Sequence, residues 1–296
     1  MYKPFGVIPA MVTTFKDDFT INEKAYRETL NFYINAGCHG LGVAAGTGEY
    51  ARMSLDQRKQ AMRIAVDEVA GRVPIIAGTG CHGTDESVEL SQYADSLGIE
   101  ACLVITPYYT QTNDDGIYRH YKTISDSVSN TGIVIYNFPA GTNVNINPDL
   151  VAGLAKEKNI VGIKNSTPDF IHQAALIHKT RGEDFNVITG YESLLLPTLL
   201  MGGRGIFAVA PDIIPREMVG MYELAMRGDF KGAVDIHDKY YDMYQIIWEE
   251  PSPGPAKAAL ELLGFEAGPP RPPVFPVTDG YRAKLKSLMQ SLEILK

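Results

Sequence analysis

The chain has 296 residues, with 27 Lys+Arg against 35 Asp+Glu and a formal net charge of −8. That balance disfavours nucleic-acid binding, which needs clustered positive charge against the phosphates. An apolar fraction of 45% beside 21% charged residues excludes global disorder and supplies a sizeable core.

No apolar run approaches the roughly 20 residues of a spanning helix, so no membrane partner is predicted. The stretch from Met1 to Val7 has no long apolar run or cleavage signature, which predicts no secretory signal. Cys38, Cys81 and Cys102 cannot all pair with one another and show no C-x-x-C spacing. They read as reduced, buried thiols of a cytoplasmic protein. The histidines form no H-E-x-x-H and no cluster, so neither a metal nor a cofactor is predicted.

Taken in chain order, eight short apolar or β-branched runs start near Gly6, Gly40, Val73, Ala101, Gly132, Ile160, Phe185 and Gly205. Their near-continuous apolar character predicts parallel strands buried on both faces. The segments between them read as helices. Ser54 with Gln57 forms a capping box. Thr84 is the predicted cap of a helix with Asp85 and Glu86 in its first turn. Asn147-Pro148 opens another, with Pro at the first helical position. Eight such units predict a (β/α)8 TIM barrel over residues 1–210, with a doubly wound open sheet as the alternative. Residues 211–296 read as a C-terminal helical extension, with helices near 216–227, 230–248, 255–263 and 279–295.

Active sites of this barrel sit at the C-terminal ends of its strands. Seven of the eight predicted ends are polar or glycine-rich. They include Thr13-Thr14, Gly46-Thr47-Gly48-Glu49, Thr106-Pro107-Tyr108-Tyr109, Tyr136-Asn137, Lys164-Asn165-Ser166 and Gly190-Tyr191-Glu192. The eighth, Ala208-Val209, is apolar, and Ala208 is counted with the substrate-binding candidates. A lysine at the end of Ile160-Val161-Gly162-Ile163 would be partly desolvated, which lowers its pKa and frees an amine for Schiff-base chemistry. The alternative for Lys164 is a strand-end lysine reaching into water. Tyr136 suits a proton shuttle, or else a core aromatic with a satisfied hydroxyl. Gly46-Thr47-Gly48 suits backbone contacts to a small anion, or else a tight turn. Gly78-Thr79-Gly80-Cys81-His82-Gly83 mimics a dinucleotide fingerprint. The next strand ends in Ile105-Thr106-Pro107 without the acid that would bind a ribose, so nucleotide binding is rejected.

The order Gly46-Thr47-Gly48-Glu49, Pro107-Tyr108-Tyr109, Tyr136-Asn137-Phe138-Pro139, Gly162-Ile163-Lys164 resembles the dihydrodipicolinate synthase / N-acetylneuraminate lyase family. Gly254-Pro255-Ala256-Lys257 and Arg271-Pro272-Pro273 extend the resemblance along the chain. It implies a class I aldolase in which Lys164 forms an imine with pyruvate or another 2-oxo acid and Tyr136 relays protons. Gly46 and Thr47 would hold the substrate carboxylate. Tyr109 matches a relay tyrosine that crosses a dimer interface, and the implied assembly is a homotetramer.

Two positions depart from the synthase pattern. Gly141 stands where the synthases carry an Arg for the second substrate's carboxylate, and Gly46 replaces a hydroxyl residue. Glycine has no side-chain donor. Gly190-Tyr191-Glu192 resembles the stretch that faces sugar hydroxyls in the family's sugar-acid lyases, so Gly190 and Glu192 are substrate-binding candidates. The alternative for Glu192 is a solvated acid at a helix start. The expected activity is therefore reversible cleavage of a 2-keto-3-deoxy sugar acid to pyruvate and an aldehyde. Dihydrodipicolinate synthase with an atypical partner site is the first alternative, a Schiff-base dehydratase the second, and a non-catalytic sensor the third.

Overall fold

The structure, a computed structural model, describes residues 1–295. Its strands are β1 (Gly6–Pro9), β2 (Leu41–Val43), β3 (Ile75–Gly78), β4 (Ala101–Ile105), β5 (Gly132–Asn137), β6 (Ile160–Asn165), β7 (Asn186–Thr189) and β8 (Gly205–Ala208). They form one eight-stranded sheet in the order β1-β8-β7-β6-β5-β4-β3-β2. Each pair from β3 to β8 is parallel, with helices between strands. The fold is the (β/α)8 barrel, not the doubly wound sheet. Every residue of β4, β5 and β6 is buried, as the unbroken apolar runs require.

The chain divides into two compact units. One comprises Met1–Gly6 and Pro74–Phe207. Its core runs along the middle strands, where Ile76, Val104, Ile133, Val134, Ile135, Ile163 and Ile188 are fully buried. Its helices start on local signals. Asn113 accepts from the Gly116 amide to cap Asp114–Asp126, and Asp169 accepts from Ile171 and His172 to cap Phe170–Lys179. Asn147 caps Pro148–Leu154, which begins with proline as predicted. Thr84 is not a cap: Gly83 holds that position, and the Thr84 hydroxyl pairs instead with His120 Nδ1 at 2.9 Å.

The other unit comprises Val7–Val73 and Ala208–Lys296. The Ser54–Gln57 capping box opens the helix Leu55–Val69 with reciprocal bonds of 3.2 Å. Helices follow β8 at Pro215–Met226, Phe230–Lys239, Tyr241–Ile246, Gly254–Leu262 and Asp279–Ser291. The single helix expected over 230–248 is thus two, broken at Tyr240, whose φ of −102° and ψ of 9° leave the helical basin. Among the described residues no helix is long and apolar enough to cross a membrane. All three cysteines are buried, and none forms a disulfide.

His120 carries a testable consequence. It lies on the buried face of Asp114–Asp126, and its Nε2 has no hydrogen-bond partner among the described residues. Burial pulls its pKa from 6.5 down to about 4. Between those values the unfolded chain binds the extra proton and the folded chain does not. The stability that this group protects is therefore full above pH 6.5 and lost as pH falls toward 4. The loss amounts to about 3 kcal/mol. Urea unfolding of the wild type and His120→Gln from pH 7 to 4 should give a steeper decline for the wild type. Parallel curves would remove His120 from the acid response.

Candidate active site

The pairing of β5 with β6 decides which side chains meet. Ile133 lies opposite Ile160, but Val134 lies opposite Gly162, so Val161 is an extra residue in β6. The register beyond it sets Tyr136 opposite Lys164 and Asn137 opposite Asn165. Without that shift Tyr136 would face Ile163, and Lys164 would turn to the other side of the sheet. The bulge thus puts amine and phenol on one face.

Lys164 is 5% exposed, which rules out the strand-end lysine in water. Its Nζ lies 4.4 Å from the centroid of the Tyr136 ring and 4.4 Å from that of Phe207. Two aromatic faces stabilise a positive nitrogen, which suits an amine that becomes a protonated imine. Tyr136 is also buried. Burial raises its phenol above the ordinary range; the Ser166 side chain hydrogen-bonds the phenol and opposes that rise. The phenol therefore stays protonated at neutral pH and has a proton to give.

On the opposite face an amide chain fixes the strand ends. Asn137 Nδ2 donates to Asn165 Oδ1 at 2.7 Å, and Asn165 Nδ2 donates to Gln173 Oε1 at 2.7 Å. Gln173 Nε2 donates to Thr198 Oγ1 at 3.3 Å, and Asn137 Oδ1 accepts from the Ile146 amide at 3.0 Å. All four side chains are fully buried. Leaving one such group unpaired costs about 1–3 kcal/mol, so the chain holds the residues next to Lys164 and Tyr136 in a single arrangement.

Gly190 follows β7 and packs against the same group. A Cβ there would overlap the Ser166 hydroxyl and stand 3.1 Å from Lys164 Cε. Glu192 is 1% exposed, so it is not the solvated acid of the alternative reading. Beyond β5, the Phe138 ring stacks on Tyr136 with centroids 5.8 Å apart and planes at 8°. It also leans over Gly141, where a Cβ would meet the ring at 2.6 Å. The nearest neighbour above the side-chain-free Gly141 is thus an aromatic ring. Tyr109, on the loop after β4, is 98% exposed with a φ of 70°.

Gly46, Thr47 and Ala208 belong to the other unit. There Gly46–Glu49 is a tight turn closed by the Glu49 amide donating to the Gly46 carbonyl at 3.0 Å. Gly46 is exposed, while Thr47 and Ala208 are buried. The rejected dinucleotide motif ends at Gly83, the cap of a helix with Asp85 and Glu86 in its first turn, two carboxylates where a pyrophosphate would sit. Among the described residues no group of three or more His, Cys, Asp and Glu is placed to hold a metal ion. Sequence reasoning missed Ser166, Phe207 and Phe138 as neighbours of the lysine and the phenol. Ser166 stood two residues beyond Lys164 in the polar strand end and was the one local signal available.

A buried lysine set beside a phenol by neighbouring strands of a (β/α)8 barrel defines a class of lysine-bearing barrel enzymes. The chain belongs to the Dihydrodipicolinate synthetase family, which matches residues 3–292. It is an enzyme of the pyruvate-dependent lyase and synthase kind, the class I aldolase type. It is 38% identical over 286 residues to the 4-hydroxy-tetrahydrodipicolinate synthase of Methanospirillum hungatei JF-1, covering 96% of this chain and 98% of the relative. Among solved structures it resembles dihydrodipicolinate synthase from Thermotoga maritima with a TM-score of 0.95 and 31% identity, covering 99% of this chain and 100% of the other. It also resembles YagE from E. coli K12, a prophage protein of the dihydrodipicolinic acid synthase family solved in complex with pyruvate. That match has a TM-score of 0.94 at 31% identity, over 98% of this chain and 99% of the other.

Proposed function

We propose that Lys164 forms an imine with pyruvate and that the enamine derived from it condenses with aspartate semialdehyde, as the names of the curated relatives suggest. The observation that carries the Schiff-base step is the buried Lys164 amine between the Tyr136 and Phe207 rings. In this reading the Nζ lone pair adds to the pyruvate C2, and the carbonyl oxygen takes a proton through Tyr136. The carbinolamine then loses water to give a protonated imine. Loss of a C3 proton gives the enamine, whose C3 attacks the aldehyde carbon. Gly46 and Thr47 take the pyruvate carboxylate, the overall charge of −8 being no help to an anion. Tyr109, exposed in the single chain, is covered by a second copy in the homotetramer that the family resemblance implies.

A second reading stays in play because of one observation. Gly141 offers no guanidinium, and Phe138 fills the space above it. An aromatic cover suits an uncharged, hydroxylated partner better than a carboxylate. This favours cleavage of a 2-keto-3-deoxy sugar acid, with Gly190, Glu192 and Ala208 lining the tail and the buried Glu192 accepting from its hydroxyls.

Two measurements separate these outcomes. Borohydride reduction with pyruvate should leave one adduct on Lys164, and its absence would sink the Schiff-base reading altogether. Side-by-side assays of pyruvate with aspartate semialdehyde, and of a 2-keto-3-deoxyaldonate alone, should show the condensation as the faster reaction. Faster cleavage of the aldonate would reverse the order of the two readings.

A further inference from the structure

The unit that carries the Gly46–Glu49 turn also buries a charge cluster directly beneath it. Glu49 closes the turn in a left-handed conformation, φ 68°, rare for a side chain of its size, and is 1% exposed. Its Oε1 pairs with Lys257 Nζ at 2.8 Å, with the two side chains 0% and 2% exposed. Its Oε2 pairs with Arg52 at 3.2 Å and accepts from the Arg271 amide at 2.7 Å. Lys257 also donates to the Pro269 carbonyl at 2.9 Å, and Arg271 to the Phe19 carbonyl at 2.9 Å. The Phe15 ring has Lys257 at 4.6 Å and the Arg271 guanidinium at 5.2 Å. From the other side, the Thr13 hydroxyl donates to the Gly48 carbonyl at 2.7 Å.

A fully buried ion pair adds little net stability, because desolvation offsets the attraction. Burial pulls the Lys257 ammonium below its usual range, and the Glu49 charge opposes that pull. What such a pair does well is fix one geometry. Here it fixes a left-handed residue at the end of a turn that must aim backbone amides at an anion. We propose that Glu49, held by Lys257 and Arg52, is a positioning residue that sets the Gly46–Thr47 turn for the substrate carboxylate, so that the Gly254–Arg271 segment tunes the affinity for the 2-oxo acid. This rests on the reading of Gly46 and Thr47 given above.

Geometry and field make opposite forecasts for one variant. Glu49→Gln removes a negative charge and so strengthens the local positive field, yet it loosens the turn. Lys257→Met weakens the field and loosens the turn as well. If the cluster acts by positioning, both variants weaken pyruvate binding. The probe is the pyruvate concentration that gives half-maximal borohydride adduct on Lys164, which needs no assumption about the aldehyde partner.

Both variants should raise that concentration about tenfold, with the plateau at saturating pyruvate within twofold of the wild type. A merely structural role would lower the plateau with the folded fraction and leave the midpoint in place. Should Glu49→Gln not fold, Arg52→Met, which touches only the 20% exposed end of the cluster, carries the test with an expected rise of about threefold. An unchanged midpoint, or a lower one in Glu49→Gln, overturns the proposal. No adduct in the wild type would instead defeat the Schiff-base reading on which it rests.

Discussion

Lys164→Ala should abolish turnover, with a loss on the order of 10⁴-fold or more. In the mechanism proposed above the imine is the electron sink for the carbanion at C3, and the neighbours shown for Lys164 cannot replace it: Tyr136 and Phe207 offer rings, and Ser166 offers a hydroxyl. Lys164→Arg sharpens the test. It places a permanent cation at this position, and a guanidinium is always protonated and forms no imine. Both variants should be equally inactive, while thermal unfolding shows them folded. Activity retained in Lys164→Arg would mean that the lysine acts through its charge, and the covalent mechanism would fall.

The strands were legible because each announces itself locally. Ala101, Gly132 and Ile160 begin runs of β-branched residues that polar residues end abruptly, and β4, β5 and β6 begin at those positions. β3 begins at Ile75 and not at Val73, and the intervening Pro74 has no amide for the ladder. The lysine and the phenol were legible as strand ends. Their pairing was not, because the bulge at Val161 is a property of two strands together and leaves no mark in either alone. The same applies to Phe207, which reaches Lys164 from β8, and to the Glu49–Lys257 pair, whose halves lie at opposite ends of the chain. Local signals also misled. Thr84 has the chemistry of a cap, but its hydroxyl is taken by His120. The break at Tyr240 carries neither glycine nor proline to announce it.

Tyr136→Phe should slow turnover by about 10²–10⁴-fold, the range for removing a positioned proton donor. This substitution isolates the hydroxyl. The ring face presented to Lys164 at 4.4 Å and the stack on Phe138 both survive it. What is lost is the proton that burial keeps on the phenol at neutral pH. Imine formation must protonate a departing oxygen, so the borohydride adduct with pyruvate should form slowly but reach the wild-type extent. Ser166, 4% exposed, is left without the phenol as its partner. An orphaned buried hydroxyl costs about 1–3 kcal/mol, so the variant should also unfold earlier. Adding Ser166→Ala removes that orphan and should recover part of the stability without any of the rate. A double variant that recovered both would show the slow rate to be a packing defect, and an unchanged rate in Tyr136→Phe would take the phenol out of the mechanism.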